Sequence, residues 1–566
     1  MNKKILIVGG VAGGASAAAR LRRLNEKNQI IMFERGPHVS FSNCSLPYHL
    51  SGIVEDADDL ILMKPEKFLK QYNIEARVNH EVLSIDRAKK EVIVKNLETK
   101  KEYRESYDNL ILSPGAKAMI PNIPGIDKVN LFSIRNVVDI QKLMNGIHTT
   151  KPTNIAVIGG GFIGVEAAEN LKEAGYSVTL IEALPQILKP FDEDMVQILH
   201  KEIYDRGIQL VLGDKVTAFE EDRISLESGR KVYAEIVIMA IGVIPEVELA
   251  KEAGLEIGKT GGIKVDPNYQ TSDQNIYAVG DAIEVYHRLT GSPTKLALAG
   301  PAQKQARSVA DHIHGMPISH NGVIGTSVIK VFDYNAAATG LNEGLIQALS
   351  MNIDYDTIEI IPNDKVGLMP DCESMHFKLI FEKPTGKVLG AQAIGKGNVD
   401  KRIDVIATVL QFGGTVEDLK KLELCYAPPF GTAKDVVNYA GYIASNLLHG
   451  SFKQVHSSLV RELVQQGACI IDVREKTEYA AGHIHGAKNI PLSEIRERIH
   501  EIPKEQPIYL HCRSGQRSYN AALLLQQSGF KEVYNVSAGF MGLCFYEYFK
   551  DQTTGRDKLV TEYNFL

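Results

Sequence analysis

The chain has 566 residues, 44% hydrophobic and 23% charged, with a formal net charge of -6. That length sets a prior of about three or four domains, and the composition is that of a globular protein with enough apolar material for a large core. The acidic balance argues against a nucleic-acid binder, which needs a basic surface to neutralise phosphates.

In chain order, "KKILIVGG" predicts a strand, "ASAAARLRRL" a helix and "QIIMFERG" a second strand ending at Glu34. Gly9 and Gly14 hold the outer positions of a GxGxxG loop. Val11 takes the middle one, and Gly10 and Gly13 compensate. Next comes "SFSNCSLPYHLSG", where Cys44 stands alone among polar and turn-forming residues, and then "YDNLILSPGAKA". The opening pattern returns in "NIAVIGGGFIGVEAAENLKEAGYSVTLIEA", now with a complete Gly159, Gly161, Gly164 and a terminal Glu182. The first glycine allows the tight turn, the second lets backbone approach a pyrophosphate, and the third lets helix and strand pack closely. Two such units imply two dinucleotide-binding domains. Glu34 and Glu182 sit where a ribose hydroxyl is accepted. A carboxylate at 182 repels a 2′-phosphate, so NADH is favoured over NADPH, with Lys189 nearby moderating the preference. "TSDQNIYAVGDA" then ends a strand at Asp281, a carboxylate placed beside a dinucleotide.

From about residue 330 the glycine signatures stop. "MHFKLIFE" and "KRIDVIATVLQFG" predict a mixed α+β domain. Past a boundary near residue 452, "ACIIDVREKTEYAAGHIHGAKNIPLSEI" and "PIYLHCRSGQRSYNAALLLQQSGF" alternate strand, loop and helix, the pattern of a parallel sheet. Here "HCRSGQRS" is an anion-binding loop led by Cys512. Its N–H groups and helix dipole are expected to lower the thiol's pKa.

The six cysteines are too scattered for a disulfide framework or a zinc site. No segment approaches the ~20 apolar residues of a membrane helix, and the opening is broken by glycines too early for a secretory signal. The expectation is a cytoplasmic protein with free thiols, no metal and no membrane partner. Cys469 reads as a buried strand residue. Cys372, Cys425 and Cys544 carry no motif and read as structural.

Glu34, the turn from Ser113 through Gly115 to Ala116, the second glycine loop and "TSDQNIYAVGD" stand in the order found in flavin-dependent pyridine nucleotide-disulfide oxidoreductases, which residues 1 to about 448 resemble. The resemblance implies FAD on the first unit, with Asp281 at its ribityl or pyrophosphate region, and a homodimer formed through the domain after residue 330. "SFSNCSLPYHLSG" resembles the single-cysteine branch: coenzyme A-disulfide reductases, NADH oxidases and persulfide reductases. There Cys44 lies at the flavin and forms a mixed disulfide or persulfide as a thiolate. Its pKa is therefore expected below the ~8.5 of free cysteine, lowered by a helix N-terminus and the flavin. Ser16, Arg20, Arg23, Ser40 and Asn43 resemble positions that hold coenzyme A. Arg307, Lys70 and Lys434 are further candidates, the lysines reading more readily as solvated surface. Tyr426 in "LCYAPPFG" matches a tyrosine sent from the partner subunit. A second family tyrosine is replaced by Leu368 and Met369, which favours a smaller sulfur electrophile over coenzyme A disulfide. The C-terminal segment, 455 to 550, resembles rhodanese through Asp472, Arg474, Glu478, Gly482, His483, Ile484, Gly486, Ala487, Cys512, Gly515 and Arg517.

The expected fold class is α/β: two Rossmann-like FAD and NAD(P)H domains, an α+β dimerisation domain and a C-terminal α/β rhodanese domain. The expected boundaries are 1–150 and 271–330 for FAD, 151–270 for NAD(P)H, 331–450 for dimerisation and 455–566 for rhodanese with a tail. The expected activity is FAD-dependent NAD(P)H reduction of coenzyme A-linked persulfides or polysulfides through Cys44, with Cys512 carrying sulfane sulfur. Coenzyme A-disulfide reductase is the alternative, NADH oxidase a third enzymatic reading, and a redox-sensing sulfur carrier with structural FAD the alternative of another class.

Overall fold

The computed structural model describes residues 2–318 and 322–565. It divides into two compact units, residues 1–185 with 211–323, and residues 186–210 with 324–566.

In the first unit, β1 (Lys4–Val8) leads into α1 (Ala12–Leu24) and β2 (Gln29–Glu34). The strands β3 (Glu75–Val78), β4 (Asn109–Leu112), β5 (Asn154–Ile158), β6 (Ser177–Glu182), β7 (Ile236–Met239) and β8 (Ile276–Ala278) follow, with α2 (Phe162–Glu173) between β5 and β6 and α3 (Ala299–Ile313) last. Five strands form one parallel sheet in the order β8-β4-β1-β2-β3. Its central strands are continuous apolar runs because both faces are covered. Ile5 and Ile7 enter one core and Leu6 the other. Each, fully buried, contributes roughly 1.5–3 kcal/mol relative to exposure. Ala17 and Ala18 are fully buried as well, and their small side chains let α1 lie close to the sheet. A second parallel sheet runs β6-β5-β7 and adds the short strand Leu131–Phe132 beside β7. A domain cut at residue 150 therefore separates Leu131–Phe132 from the sheet it joins. Two paired residues leave no periodicity to read.

In the second unit, β9 (Ser327–Val331), β10 (Tyr334–Gly340), β11 (Tyr355–Ile360), β12 (Met375–Glu382) and β13 (Val388–Gly395) make an antiparallel sheet in the order β9-β10-β13-β12-β11. Helices α4 (Val399–Phe412) and α5 (Val436–Leu448) follow. The chain then enters a second sheet, all parallel, built from β14 (Lys453–Val455), β15 (Cys469–Asp472), β16 (Lys488–Asn489), β17 (Ile508–His511) and β18 (Val533–Val536) in the order β14-β18-β17-β15-β16. Helix α6 (Gln516–Gln527) follows β17, and α7 (Gly539–Thr554) follows β18. The two sheets are tied together. Gln454 donates to the Thr357 carbonyl at 2.6 Å, and Ser537 Oγ lies 3.3 Å from both the amide and the carbonyl of Glu359. No helix among the described residues is long and apolar enough to cross a membrane.

Candidate active site

The two glycine loops of the first unit repeat one geometry. Gly9 and Gly159 have φ of +93° and +111°, which only glycine adopts without strain. A Cβ on Gly14 or on Gly164 would lie 1.8 Å from the carbonyl of Gly9 or Gly159. The middle position differs. Val11 and Gly161 both have negative φ, so this place does not require glycine for its backbone, and Val11 fits. Gly10 and Gly13 are fixed by close approach, since Cβ atoms there would meet Val39 and Ser113 at 2.6 and 2.5 Å. Glu34 accepts from the Gly10 and Gly36 amides, both at 2.9 Å. Glu182 accepts from Gly160 and Leu184 at 2.6 and 2.8 Å. Neither α1 nor α2 has a side-chain cap or an acid in its first turn, so the amides of both helix starts are left for an anion. Ser113, at the end of β4, lies over Gly13 and beside Gly280. Donors, glycines and carboxylates thus fit two dinucleotides. Lys189 belongs to the second unit, where its carbonyl accepts from Asn342 at 2.8 Å.

Cys44 is held next to the first loop. The Ser40 amide donates to the Gly10 carbonyl, and residues 40–42 are bonded to residues 60–62. The chain then makes two short 3-10 turns, Asn43–Ser45 and Pro47–His49, with Cys44 exposed on the first. The expected helix N-terminus is absent. A three-residue turn has no summed dipole to speak of, and the protein's own groups push the Cys44 thiol up. The crowding of protein around the thiol, whose residue still keeps a face open to solvent, is the largest cause, followed by Glu166 and Asp281, while Arg135 lowers it.

Three residues around Cys44 escaped the sequence reading. Arg135 Nη2 lies 2.7 Å from Asp281 Oδ2, while its Nε donates to the Ala116 carbonyl at 2.8 Å. It thereby links the Ser113–Ala116 turn to Asp281. Glu166, on α2, is raised to about 7 by burial and by Glu169. Tyr48 is raised by burial, Glu166, Glu169 and Cys44, and so keeps its phenolic proton. Tyr48 stands inside the "SFSNCSLPYHLSG" motif but carried no assigned role, whereas Arg135 and Glu166 stand in no motif. Only the pairing of distant segments brings Arg135 and Glu166 to Cys44.

Of the expected substrate residues, Ser16, Arg20 and Arg23 lie on α1, which packs against α3. Arg20 Nε is 2.6 Å from Asp311 Oδ1, and Arg307 Nε is 3.7 Å from Asp311 Oδ2, so one carboxylate draws both guanidinium groups together. Arg23 is exposed. Asn43 begins the Cys44 turn, and Lys70 is exposed on the helix Pro65–Tyr72.

In the second unit, Tyr426 is 52% and Phe430 71% exposed, and Leu368, in the place of the missing tyrosine, is 87% exposed. Cys425 is exposed and Cys469 only half-buried, against the expectation that both pack structurally. Cys544 is buried, and burial pushes its thiol up to about 12. Cys512 ends β17 at 1% exposure. The carbonyls of Cys512 and Arg513 accept from Phe540 and Met541 at the start of α7. This turns the loop's amides inward, and Gly515 donates to Cys512 Sγ at 3.2 Å. Arg517 is gripped by both oxygens of Glu478 at 2.6 and 2.7 Å and also reaches Cys512. Arg474, buried, bonds both oxygens of Asp472 and the Gly482 carbonyl.

Residues 3–306 match the family model "Pyridine nucleotide-disulphide oxidoreductase", 326–436 its dimerisation domain and 456–544 the rhodanese-like domain. A coenzyme A disulfide reductase of Staphylococcus epidermidis is 35% identical over 442 residues, 78% of this chain and 99% of that protein. Among solved structures, reduced Bacillus anthracis CoADR-RHD is similar with a TM-score of 0.93 at 45% identity, covering 97% of this chain and 99% of that one. A NAD-dependent persulfide reductase from A. fulgidus is similar with a TM-score of 0.90 at 33% identity, covering 95% and 99%. The chain is a member of the pyridine nucleotide-disulphide oxidoreductase family and carries a rhodanese-like domain at its C-terminal end.

Proposed function

We propose that the protein is an FAD-dependent reductase that draws electrons from NADH to reduce coenzyme A-linked persulfides or polysulfides at Cys44. The observation that carries this reading is the lone, exposed Cys44 between the two dinucleotide loops. It is the one cysteine of the first unit, so the second sulfur of any S–S bond arrives with the substrate.

FAD, which the first glycine loop, Glu34 and Asp281 would hold, would supply the two electrons, taken from the nicotinamide, that release the sulfur held on Cys44. The Cys44 thiolate attacks the sulfane sulfur of R–S–SH, forming Cys44–S–SH and expelling R–S⁻. Two electrons then break the S–S bond to give Cys44 thiolate and HS⁻. Arg135 stabilises the thiolate against Glu166 and Asp281. Glu166, which keeps a proton up to about pH 7, and Tyr48 hold protons for the departing sulfur. Arg20, Arg23 and Arg307, with Ser16, Ser40 and Asn43, bind the phosphates and arm of coenzyme A, and the exposed Tyr426 serves the site of a second copy in a homodimer. Cys512 takes up sulfane sulfur, held by the Gly515 amide and Arg517. The six unpaired cysteines suit a reducing cytoplasm.

Coenzyme A-disulfide reduction is the second reading, supported by the S. epidermidis relative. The exposed Leu368 in place of a phenol weighs against it. Steady-state NADH consumption and sulfide release, measured with coenzyme A persulfide, polysulfide and coenzyme A disulfide, decide between them. Faster turnover with the disulfide than with either sulfane substrate overturns the first reading.

A further inference from the structure

Arg474 belongs to the rhodanese-like frame, yet the chemistry proposed above gives it no task. It is 2% exposed. Its Nε and Nη2 are taken up by Asp472, and Nη2 also meets the Gly482 carbonyl at 2.7 Å. So placed, it is no ligand for an anion at Cys512. Its guanidinium lies instead over the ring of Phe540, 4.1 Å from the centroid, the geometry of a cation–π contact. His511, which faces Asp472 in the register of β17 on β15, stacks on the same ring at 6.0 Å.

Phe540 is in turn bonded to the sulfur loop. Its amide donates to the Cys512 carbonyl at 2.8 Å, and the Met541 amide donates to the Arg513 carbonyl at 2.9 Å. Gly539 comes closer still: a Cβ there would lie 2.6 Å from the Cys512 carbonyl oxygen and 2.9 Å from the Gly515 nitrogen. Ala538 and Gly539 are both left-handed, at φ of +56° and +60°, so this turn admits a side chain at such a φ; at 539 the approach of the loop excludes one. Through Ser514 and Gly515 the loop also lines a cavity of about 200 Å³, whose facing wall is the dimerisation domain, with Ile358 on β11 and Ile443 on α5. Asn446 on α5 bridges the two walls, donating to the Tyr519 hydroxyl on α6 at 3.1 Å. A cavity supplies no packed partner to fix a backbone, so the shape of the loop leans on α7.

We propose that Asp472, Arg474 and Phe540 are positioning residues for the Cys512 loop. The clamped ring fixes the start of α7. The amides there hold back the carbonyls of Cys512 and Arg513, and the loop's own amides converge on the sulfur, with Gly515 N at 3.2 Å from Cys512 Sγ. The inference rests on Cys512 carrying sulfane sulfur in a loop that holds an anion.

The test uses the full-length holoenzyme without NADH. In the transfer assay Cys512–S⁻ and S₂O₃²⁻ give Cys512–S–S⁻ and SO₃²⁻, and cyanide removes the outer sulfur as SCN⁻, returning Cys512–S⁻. A second assay needs no transfer: sulfate protects Cys512 against iodoacetamide, read on its peptide by mass spectrometry. Phe540→Leu keeps an apolar side chain and removes the ring face. It is expected to raise the thiosulfate KM and the half-protecting sulfate concentration by about tenfold each, the weight of one hydrogen bond to an anion, with a smaller change in kcat. Arg474→Lys keeps the charge, loses the planar fork and is expected to act in the same direction. The double variant should be no worse than the more severe single one, because both act through one ring. Effects that multiply overturn the link through Phe540, and wild-type sulfate protection in Phe540→Leu overturns the positioning role. If Arg474→Lys does not fold, Gly539→Ala replaces it by placing a methyl group between α7 and the loop; unchanged protection there also overturns the inference. A wild type that sulfate protects but that yields no thiocyanate refutes the relay reading alone, and the protection assay still decides the positioning role. A wild type that sulfate does not protect overturns this inference.

Discussion

Glu166 offers a test of the electrostatics around Cys44. Its carboxyl is raised from the ordinary 4.5 to about 7, chiefly by burial and then by Glu169. Between those values the folded protein holds a proton that the unfolded chain has released. Stability therefore falls as pH rises through that window and is level above it. At about 1.4 kcal/mol for each tenfold change in proton affinity, the charged side chain costs the fold about 3 kcal/mol at pH 8. Glu166→Gln keeps the shape and removes the charge. Guanidinium unfolding of the holoenzyme, followed by flavin fluorescence, should find the variant more stable than wild type at pH 8, by up to about 3 kcal/mol, with little difference at pH 4.5. Because Glu166 also raises Cys44, the variant's Cys44 should react with iodoacetamide at a lower pH midpoint. Parallel stability profiles in the two proteins, together with an unchanged alkylation midpoint, refute this account.

Cys44→Ser should retain FAD and still be bleached by NADH, yet lose reduction of every sulfur substrate; persistent sulfide release in a stopped assay contradicts the mechanism. Glu182→Ala should narrow the preference for NADH over NADPH, read as the ratio of kcat/KM values, because both a ribose acceptor and a charge repelling the 2′-phosphate are lost. A wild type that strongly prefers NADPH contradicts this role for Glu182. Cys512→Ser should abolish sulfur transfer from thiosulfate while largely sparing NADH-driven reduction of small persulfides. Wild-type transfer by that variant means the C-terminal domain is no sulfur relay.

Both glycine loops, the terminal acids and the Cys512 loop were legible because each is a local code: strand, turn and helix within some thirty residues. Val11 was legible as a departure from the pattern, but its harmlessness was not, because that depends on a φ angle. Arg135 and Glu166 were invisible for a different reason. Each acquires meaning only when Asp281 or Cys44, more than a hundred positions away, is folded against it. The local shape at Cys44 was not legible either, since two short 3-10 turns stand where a helix start was expected. The cavity beside Cys512 could not be read from either domain alone, since each supplies one wall.

That shared wall bears on ancestry. The S. epidermidis relative is matched along 99% of its own length by 442 residues, and so lacks a counterpart of the terminal domain. In this chain Ile358, Ile360 and Ile443 share one pocket lining with Ser514, Gly515 and Tyr519 of the terminal domain. Removing the terminal domain would therefore take away one wall of that lining and alter the surface of the domain before it. The terminal domain thus contributes to the surface of its neighbour independently of any chemistry at Cys512.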